Sequence, residues 1–350
     1  MKNLKLAVKL GLGFGALVLI SAVLGGVAIV SMKGVEGDST RLAQEYVPET
    51  GMANEIERHT LLLMYAVRGY SNTGRAEYKN EADTELAALE KSLAEAKAHA
   101  EKYPKLVKLK EGATKAQEAA ALYKSLMADT VRVNEGLAAT REDMDRNAKL
   151  FISNIKDFRE DMEAAQKKEM AENAGADKLA ERAQKLAGIA DIVDAGNAVR
   201  IAAWKAQAQG DPKPVQEGEA QFKTMQERLD SLKSIVRLDA NVKQLASISD
   251  AATAYKRNTQ DLVTAMARIQ ELNTKRREAG NMVLAAAQNT ARAAMEQSQQ
   301  IADSAVASLS AASVVLVVGL LVAALLGIII AFFLTRAITG PVIKGVAFAQ

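Results

Sequence analysis

Residues 312–334, ASVVLVVGLLVAALLGIIIAFFL, run for 23 positions without a charge or a proline. As a helix such a run crosses a hydrocarbon layer of about 30 Å, and few other environments accept it. It ends on Phe332 and Phe333, aromatics suited to a membrane interface, and then on Arg336 and a Gly340-Pro341 break. A second run of the same length, Leu10–Met32, follows Lys2, Lys5 and Lys9. The small residues from Ser21 to Gly26 would suit a cleaved leader, but the run exceeds the usual leader core of about 7–15 residues. We therefore read it as an uncleaved anchor.

Charge sets the orientation of these spans. No Asp or Glu precedes Glu36 and none follows Asp303, while Lys2, Lys5, Lys9, Arg336 and Lys344 flank the two runs. Basic flanks stay in the cytoplasm, so the intervening segment of about 280 residues is expected outside it. Of the 45 Lys and Arg, 40 lie between the flanks against 42 Asp and Glu, so the formal net charge of +3 reports membrane topology and not nucleic-acid binding. The absence of cysteine excludes disulfides, thiolate metal sites and cysteine catalysis.

The middle is rich in alanine, glutamate, lysine, leucine and glutamine, with only 4% aromatic residues and 5 prolines, a composition for long helices. Gly34 and Gly37 should loosen the chain before a first helix that begins near Ser39, is disturbed at Pro48 and Gly51, and stops at Ser71-Asn-Thr-Gly74. A second helix spans about 75–101 to the Tyr103-Pro104 break, and a third about 105–171 to Glu172-Asn-Ala-Gly-Ala176. A fourth covers 177–209, a fifth about 215–236, and a sixth runs from Asp239 into the second span. The order short, short, long thus occurs twice, with Ala121-Leu-Tyr-Lys124 echoed by Thr253-Ala-Tyr-Lys256, and we read an internal duplication. The long helices measure roughly 100 Å, the first and fourth about 50 Å, and the second and fifth about 35–40 Å. Two short helices end to end match one long one. The expected fold is therefore all-α: two stacked four-helix bundles between two transmembrane helices. The lower bundle would take the first and fourth helices, the upper one the second and fifth.

This arrangement, with the opening Asn3-Leu-Lys-Leu-Ala-Val-Lys-Leu-Gly-Leu-Gly-Phe-Gly15, resembles bacterial methyl-accepting chemotaxis receptors with a helical bimodular periplasmic sensor domain. Arg336-Ala-Ile-Thr-Gly-Pro341 resembles the start of a HAMP relay domain. The resemblance implies a homodimer in the bacterial inner membrane that binds small ligands, often carboxylates, within its bundles. It also implies a cytoplasmic tip, beyond this sequence, that works with a kinase and an adaptor. The expected divisions are a cytoplasmic N-terminus (1–9), a transmembrane helix (10–32), an extracytoplasmic ligand-binding domain (33–310), a second transmembrane helix (311–334) and the beginning of HAMP (335–350). A sensor histidine kinase with the same outer domain, or a passive coiled-coil anchor, would share these features.

Enzymatic function finds no support. His59 and His99 stand on different helices with no zinc-protease, nucleophile-elbow or phosphate-loop spacing, and we read them as surface or junction residues. Gly11, Gly13 and Gly15 imitate a dinucleotide fingerprint but open a membrane span. No cofactor and no metal is expected. Arginines are the better lead, because a guanidinium forks onto a carboxylate. Counted from the span ends, Arg58, Tyr65 and Arg68 fall about 40–56 Å up the first helix, and Arg276 and Arg277 about 51–52 Å up the sixth. With the Asn173 turn near the membrane, Arg141 and Arg200 would join them in a layer roughly 15 Å thick. Arg58 and Arg277 would then clamp an anion, with Tyr65 and Arg68 completing the wall. In the competing reading these arginines line solvent faces beside Asp194, Glu142 or Glu278.

Overall fold

The computed structural model describes residues 6–349. Lys2, Lys5, the start of the Asn3–Gly15 motif and Gln350 lie outside them. The described residues form α1 (Leu6–Arg41), a π-helical turn (Leu42–Tyr46), α2 (Val47–Thr73), α3 (Ala76–Lys102), α4 (Val107–Ala171), α5 (Ala176–Gln209), α6 (Lys213–Gly218), α7 (Ala220–Ile235) and α8 (Asp239–Ala349). No strand occurs among them. The six expected helices are α2, α3, α4, α5, the α6–α7 pair and α8.

Local chemistry accounts for most boundaries. Gly74 and Gly210 take φ of 67° and 65°, and Asn173 takes 53°, the left-handed conformation that ends helices and that glycine and asparagine tolerate. The Gly74 N–H closes its turn on the Tyr70 carbonyl at 2.8 Å. Gly34 and Gly37, by contrast, do not interrupt α1. The irregularity falls instead at the π-helical turn just before Pro48, where the Val47 N–H reaches back to the Leu42 carbonyl. Proline has no N–H to donate, and a widened turn absorbs that loss. Nor does Gly340-Pro341 end α8, which stays helical to Ala349. One missing donor weakens a helix without obliging it to stop.

The chain divides into two compact units, and α2, α3, α4 and α8 each contribute to both. The first unit holds the described residues up to Arg58, Leu89–Gln117, and those from Val283 onward. Its two apolar runs, on α1 and α8, are long and apolar enough to cross a membrane, and Val18, Val30, Leu320 and Ile328 on them are exposed. The runs touch where a side chain meets a glycine: Leu24 sits over Gly319, and Ile330 over Gly13. Above them the core is alanine-rich, with Ala53, Ala96, Ala100, Ala113, Ala116, Ala287 and Ala294 all buried. Such small residues let helices approach closely. At Gly112 an added Cβ would stand 2.0 Å from the Thr290 hydroxyl. His99, across from α2, donates Nε2 to the Glu45 carbonyl at 2.9 Å.

The second unit holds His59–Ala88 and Glu118–Met282. One core joins Phe151, Ile155 and Phe158 of α4, Ile189, Ile192 and Val199 of α5, Val215 of α6, Met225 and Leu229 of α7, and Leu245, Ile248 and Leu262 of α8. In the same unit the end of α2 and the start of α3 form a hairpin. The Tyr78 ring lies where a Gly69 side chain would be, and His59 Nδ1 and Glu85 Oε2 stand 2.7 Å apart. His59 is thus a half-buried, carboxylate-paired residue.

These contacts correct the expected partition of the bundles. The first two outer helices do not run end to end: they fold back on each other at Gly74, so α2 and α3 are antiparallel neighbours. The fourth and fifth, α5 with α6–α7, likewise pack together in one core. The direction of α4 is reversed relative to the expectation. Its C-terminal turn at Asn173 stands by the start of α8, where Asn241 donates to Asp161 at 3.0 Å, far along that helix from its apolar run. The fifth helix is also divided, at Glu219.

Candidate ligand-binding site

Within the second unit, α2, α4 and α8 enclose an open cavity of about 580 Å³. α2 contributes the adjacent Met64 and Tyr65 and, three or four residues further on each time, Arg68 and Asn72, which share their face. α4 adds Tyr123, and α8 adds Asn273, Arg276 and Arg277. Gly280, one turn beyond, brings α8 against α2, because any Cβ there would meet the Met64 sulfur at 2.5 Å.

Arg276 is the centre of this site. It is buried, 4% exposed, and its guanidinium meets only neutral groups: Nη1 donates to Thr130 Oγ1 at 2.7 Å, and Nη2 to Asn273 Oδ1. That amide oxygen also accepts from Ser71 Oγ at 2.9 Å. Among the described residues no carboxylate pairs with Arg276. Burial lowers its pKa from the ordinary arginine value, which measures how poorly the charge is solvated. The adjoining Tyr123 hydroxyl is pushed up to about 12 by burial, so it stays protonated and neutral. Arg68, Tyr65 and Arg277 form the exposed rim, and neither Arg68 nor Arg277 makes an ion pair among the described residues. A buried cation with neutral partners and two more cations above it attracts an anion.

Four of the seven expected site residues therefore meet: Tyr65, Arg68, Arg276 and Arg277. The other three do not. Arg58, on α2 in the first unit, is bound to Glu55 through Nε (3.1 Å) and Nη2 (2.6 Å) and takes no part in the lining. Arg141 lines a different cavity, of about 370 Å³, where Nε donates to Gln207 Oε1 at 2.8 Å. Arg200 edges a small apolar space with Phe151, Phe222 and Tyr255. The expected arginine layer fails for Arg141 and Arg200 because α4 runs opposite to the assumed direction.

Thr130, Tyr123, Asn72 and Asn273 were not anticipated. Thr130 and Asn134 are polar positions interrupting the buried stripe Tyr123, Leu126, Met127, Leu137 of α4, and that interruption was the available signal. Among the described residues no three metal-ligating side chains gather.

Residues 3–187 match the family model described as a four helix bundle sensory module for signal transduction. That is more than half of the chain. The chain belongs to this family, the sensory modules of methyl-accepting chemotaxis receptors. No curated protein matches it. The matched part of this sensory module includes the α2 side of the cavity and Tyr123, whereas Arg276 and Arg277 lie beyond it on α8. The protein is a signal-transduction sensor of the chemoreceptor type, with candidate membrane-crossing helices at both ends.

Proposed function

We propose that the protein is a homodimeric, non-catalytic chemoreceptor of the bacterial inner membrane. Its outer segment lies on the periplasmic side, its cavity takes a small organic acid, and the segment after Thr335 opens a HAMP relay. Through that relay a shift of α8 reaches a cytoplasmic kinase and its adaptor. No cofactor, metal or nucleic acid enters this reading. The observation that carries it is the buried Arg276 guanidinium without a carboxylate. An isolated buried charge costs several kcal/mol, and a bound carboxylate offsets that cost only while it is present. The rim cations Arg68 and Arg277 steer and complete the clamp.

The test is calorimetric titration of the full chain in lipid nanodiscs with a panel of short organic acids. At least one should bind. Replacing Arg276 by Gln should weaken it by about 1.5–3 kcal/mol, roughly 10- to 150-fold, and Arg68→Ala or Arg277→Ala by a smaller factor. Arg58→Ala should bind as wild type. Acids that bind equally well to all three cavity variants would sink the reading.

A further inference from the structure

The π-helical turn Leu42–Tyr46 joins α1, which carries the first apolar run, to α2, and its side chains offer two incompatible sets of partners. Widened spacing brings residues five apart together: the Val47 N–H reaches the Leu42 carbonyl, and Arg41 Nη2 donates to the Tyr46 hydroxyl at 3.4 Å. Regular spacing brings residues four apart together, and Arg41 and Glu45 are an oppositely charged pair of that kind. Here they stand 4.0 Å apart, with Arg41 Nε and Glu45 Oε2 both buried and without a hydrogen bond. A regular turn would let this pair close. The backbone is nearly indifferent, because Pro48 has no N–H to give: the Gln44 carbonyl lacks its donor in the regular register, and the Ala43 carbonyl in the widened one.

Glu49, three residues past Tyr46, is buried in the same unit and makes no hydrogen bond or ion pair among the described residues. α3 holds the turn through His99, whose Nε2 donates to the Glu45 carbonyl and whose ring packs 4.8 Å from that of Tyr103. His99 and Tyr103 are half-buried, whereas every Asp, Glu, Lys and Arg described on the α3, α4 and α8 parts of this unit is exposed. These helices thus bury no opposite charge with Glu49.

We infer that Glu49 and the π-helical turn form a proton-operated joint between α1 and α2: neutral Glu49 stays in the core with the turn wide, and ionised Glu49 drives the turn into the regular register and itself toward solvent. Losing the extra residue rotates the positions that follow by about 100°, which carries Tyr46 out of the core and Glu49 to its edge. The extra residue is taken up again at Gly51, where a side chain would meet nothing within 4 Å, so Ala53 and Ile56 keep their buried face. Burial pushes the Glu49 carboxyl up from 4.5 to about 7, so acid favours the wide turn and rising pH the regular one. The balance between registers can move by up to about 300-fold over that interval. The ligand of this joint is a proton, and the inference does not depend on an acid at Arg276.

The experiment is fluorine NMR on the full chain in nanodiscs with fluorotyrosine at all seven tyrosines, the Tyr46 signal being assigned by Tyr46→Phe. Its solvent isotope shift between light and heavy water reads exposure, which a change of nearby charge alone does not alter. From about pH 4.5 to 7.5 that signal should pass from buried to exposed with a midpoint below about 7. Glu49→Gln should keep it buried throughout. Glu45→Gln removes the ion pair of the regular register only, so it should raise the midpoint, and it serves as the second variant should Glu49→Gln misfold. Arg276→Gln should leave the midpoint unchanged. A Tyr46 signal that stays buried across this range in the unaltered protein, or one that becomes exposed equally in Glu49→Gln, overturns the inference.

Discussion

Glu49 should make the stability of the first unit depend on pH near neutrality. It lies on α2 one residue past Pro48, is 2% exposed, and makes no hydrogen bond or ion pair among the described residues. Burial raises its pKa from 4.5 to about 7. The folded state therefore holds a proton that the unfolded chain releases between those values. Stability is full below about pH 4.5 and falls as pH rises through 7, because the ionised carboxylate is poorly solvated. At about 1.4 kcal/mol per unit the full penalty is about 3 kcal/mol above pH 7. Glu49→Gln keeps the shape and removes the ionisation. It should stabilise the protein by about 3 kcal/mol at pH 8.5 and by almost nothing at pH 4. With about 2–4 °C per kcal/mol for a unit of this size, the melting midpoint at pH 8.5 should rise by roughly 6–12 °C. Circular-dichroism melts of both proteins in nanodiscs across that range measure it. An equal shift at every pH, or none, refutes the argument and means that the carboxylate finds water or a cation on folding.

Gly112→Ala should reverse the usual helix rule. Alanine normally gains about 1 kcal/mol over an interior glycine, but here its Cβ would stand 2.0 Å from Thr290 Oγ1 and 3.4 Å from the Ala286 carbonyl. A net loss of about 1–3 kcal/mol is expected in thermal melts, with recovery in the Gly112→Ala, Thr290→Ala double variant. Between the spans, Leu24 packs on Gly319 and Ile330 on Gly13. Because the chain has no cysteine, the pairs Leu24→Cys with Gly319→Cys and Gly13→Cys with Ile330→Cys should each form a disulfide in oxidised membranes. Cysteines at the exposed Leu19 and Leu321 should not cross-link within the protomer.

The sequence was informative wherever one residue decides one conformation. Gly74, Asn173 and Gly210 mark helix ends because the left-handed backbone there excludes most other side chains. What a turn does next is decided elsewhere. Ser71-Asn-Thr-Gly74 serves an end-to-end joint or a hairpin equally well. The reversal depends on the missing side chain of Gly69, which admits the Tyr78 ring, a contact with no periodic signature. The same distinction explains the site. Tyr65, Arg68, Arg276 and Arg277 were located by counting along the two helices that join the spans, and that count needs no knowledge of the hairpins. Arg141 and Arg200 were located through the Asn173 turn, and they inherited the error in its position. Thr130 and Asn273 escaped because they carry no charge: their part is to hold a guanidinium without neutralising it.

That neutrality bears on signalling. Had Thr130 or Asn273 been a carboxylate, Arg276 would be satisfied at all times, and an arriving acid would compete with the protein's own anion instead of supplying a missing one. On the proposed reading, with neutral partners the buried charge is compensated only in the ligand-bound state, so the free energy of compensation belongs to that state. The groups that would gain it, Asn273, Arg276 and Arg277, stand close together on α8, a helix that runs without interruption to Ala349. Their counterparts Tyr65, Arg68 and Asn72 stand on α2. An acid held by both helices therefore favours whichever offset of α8 against α2 brings the cations closest to it. Useful couplings are about 1–3 kcal/mol, close to the worth of one charge-assisted hydrogen bond. On the proposed reading, one carboxylate at Arg276 suffices to bias α8.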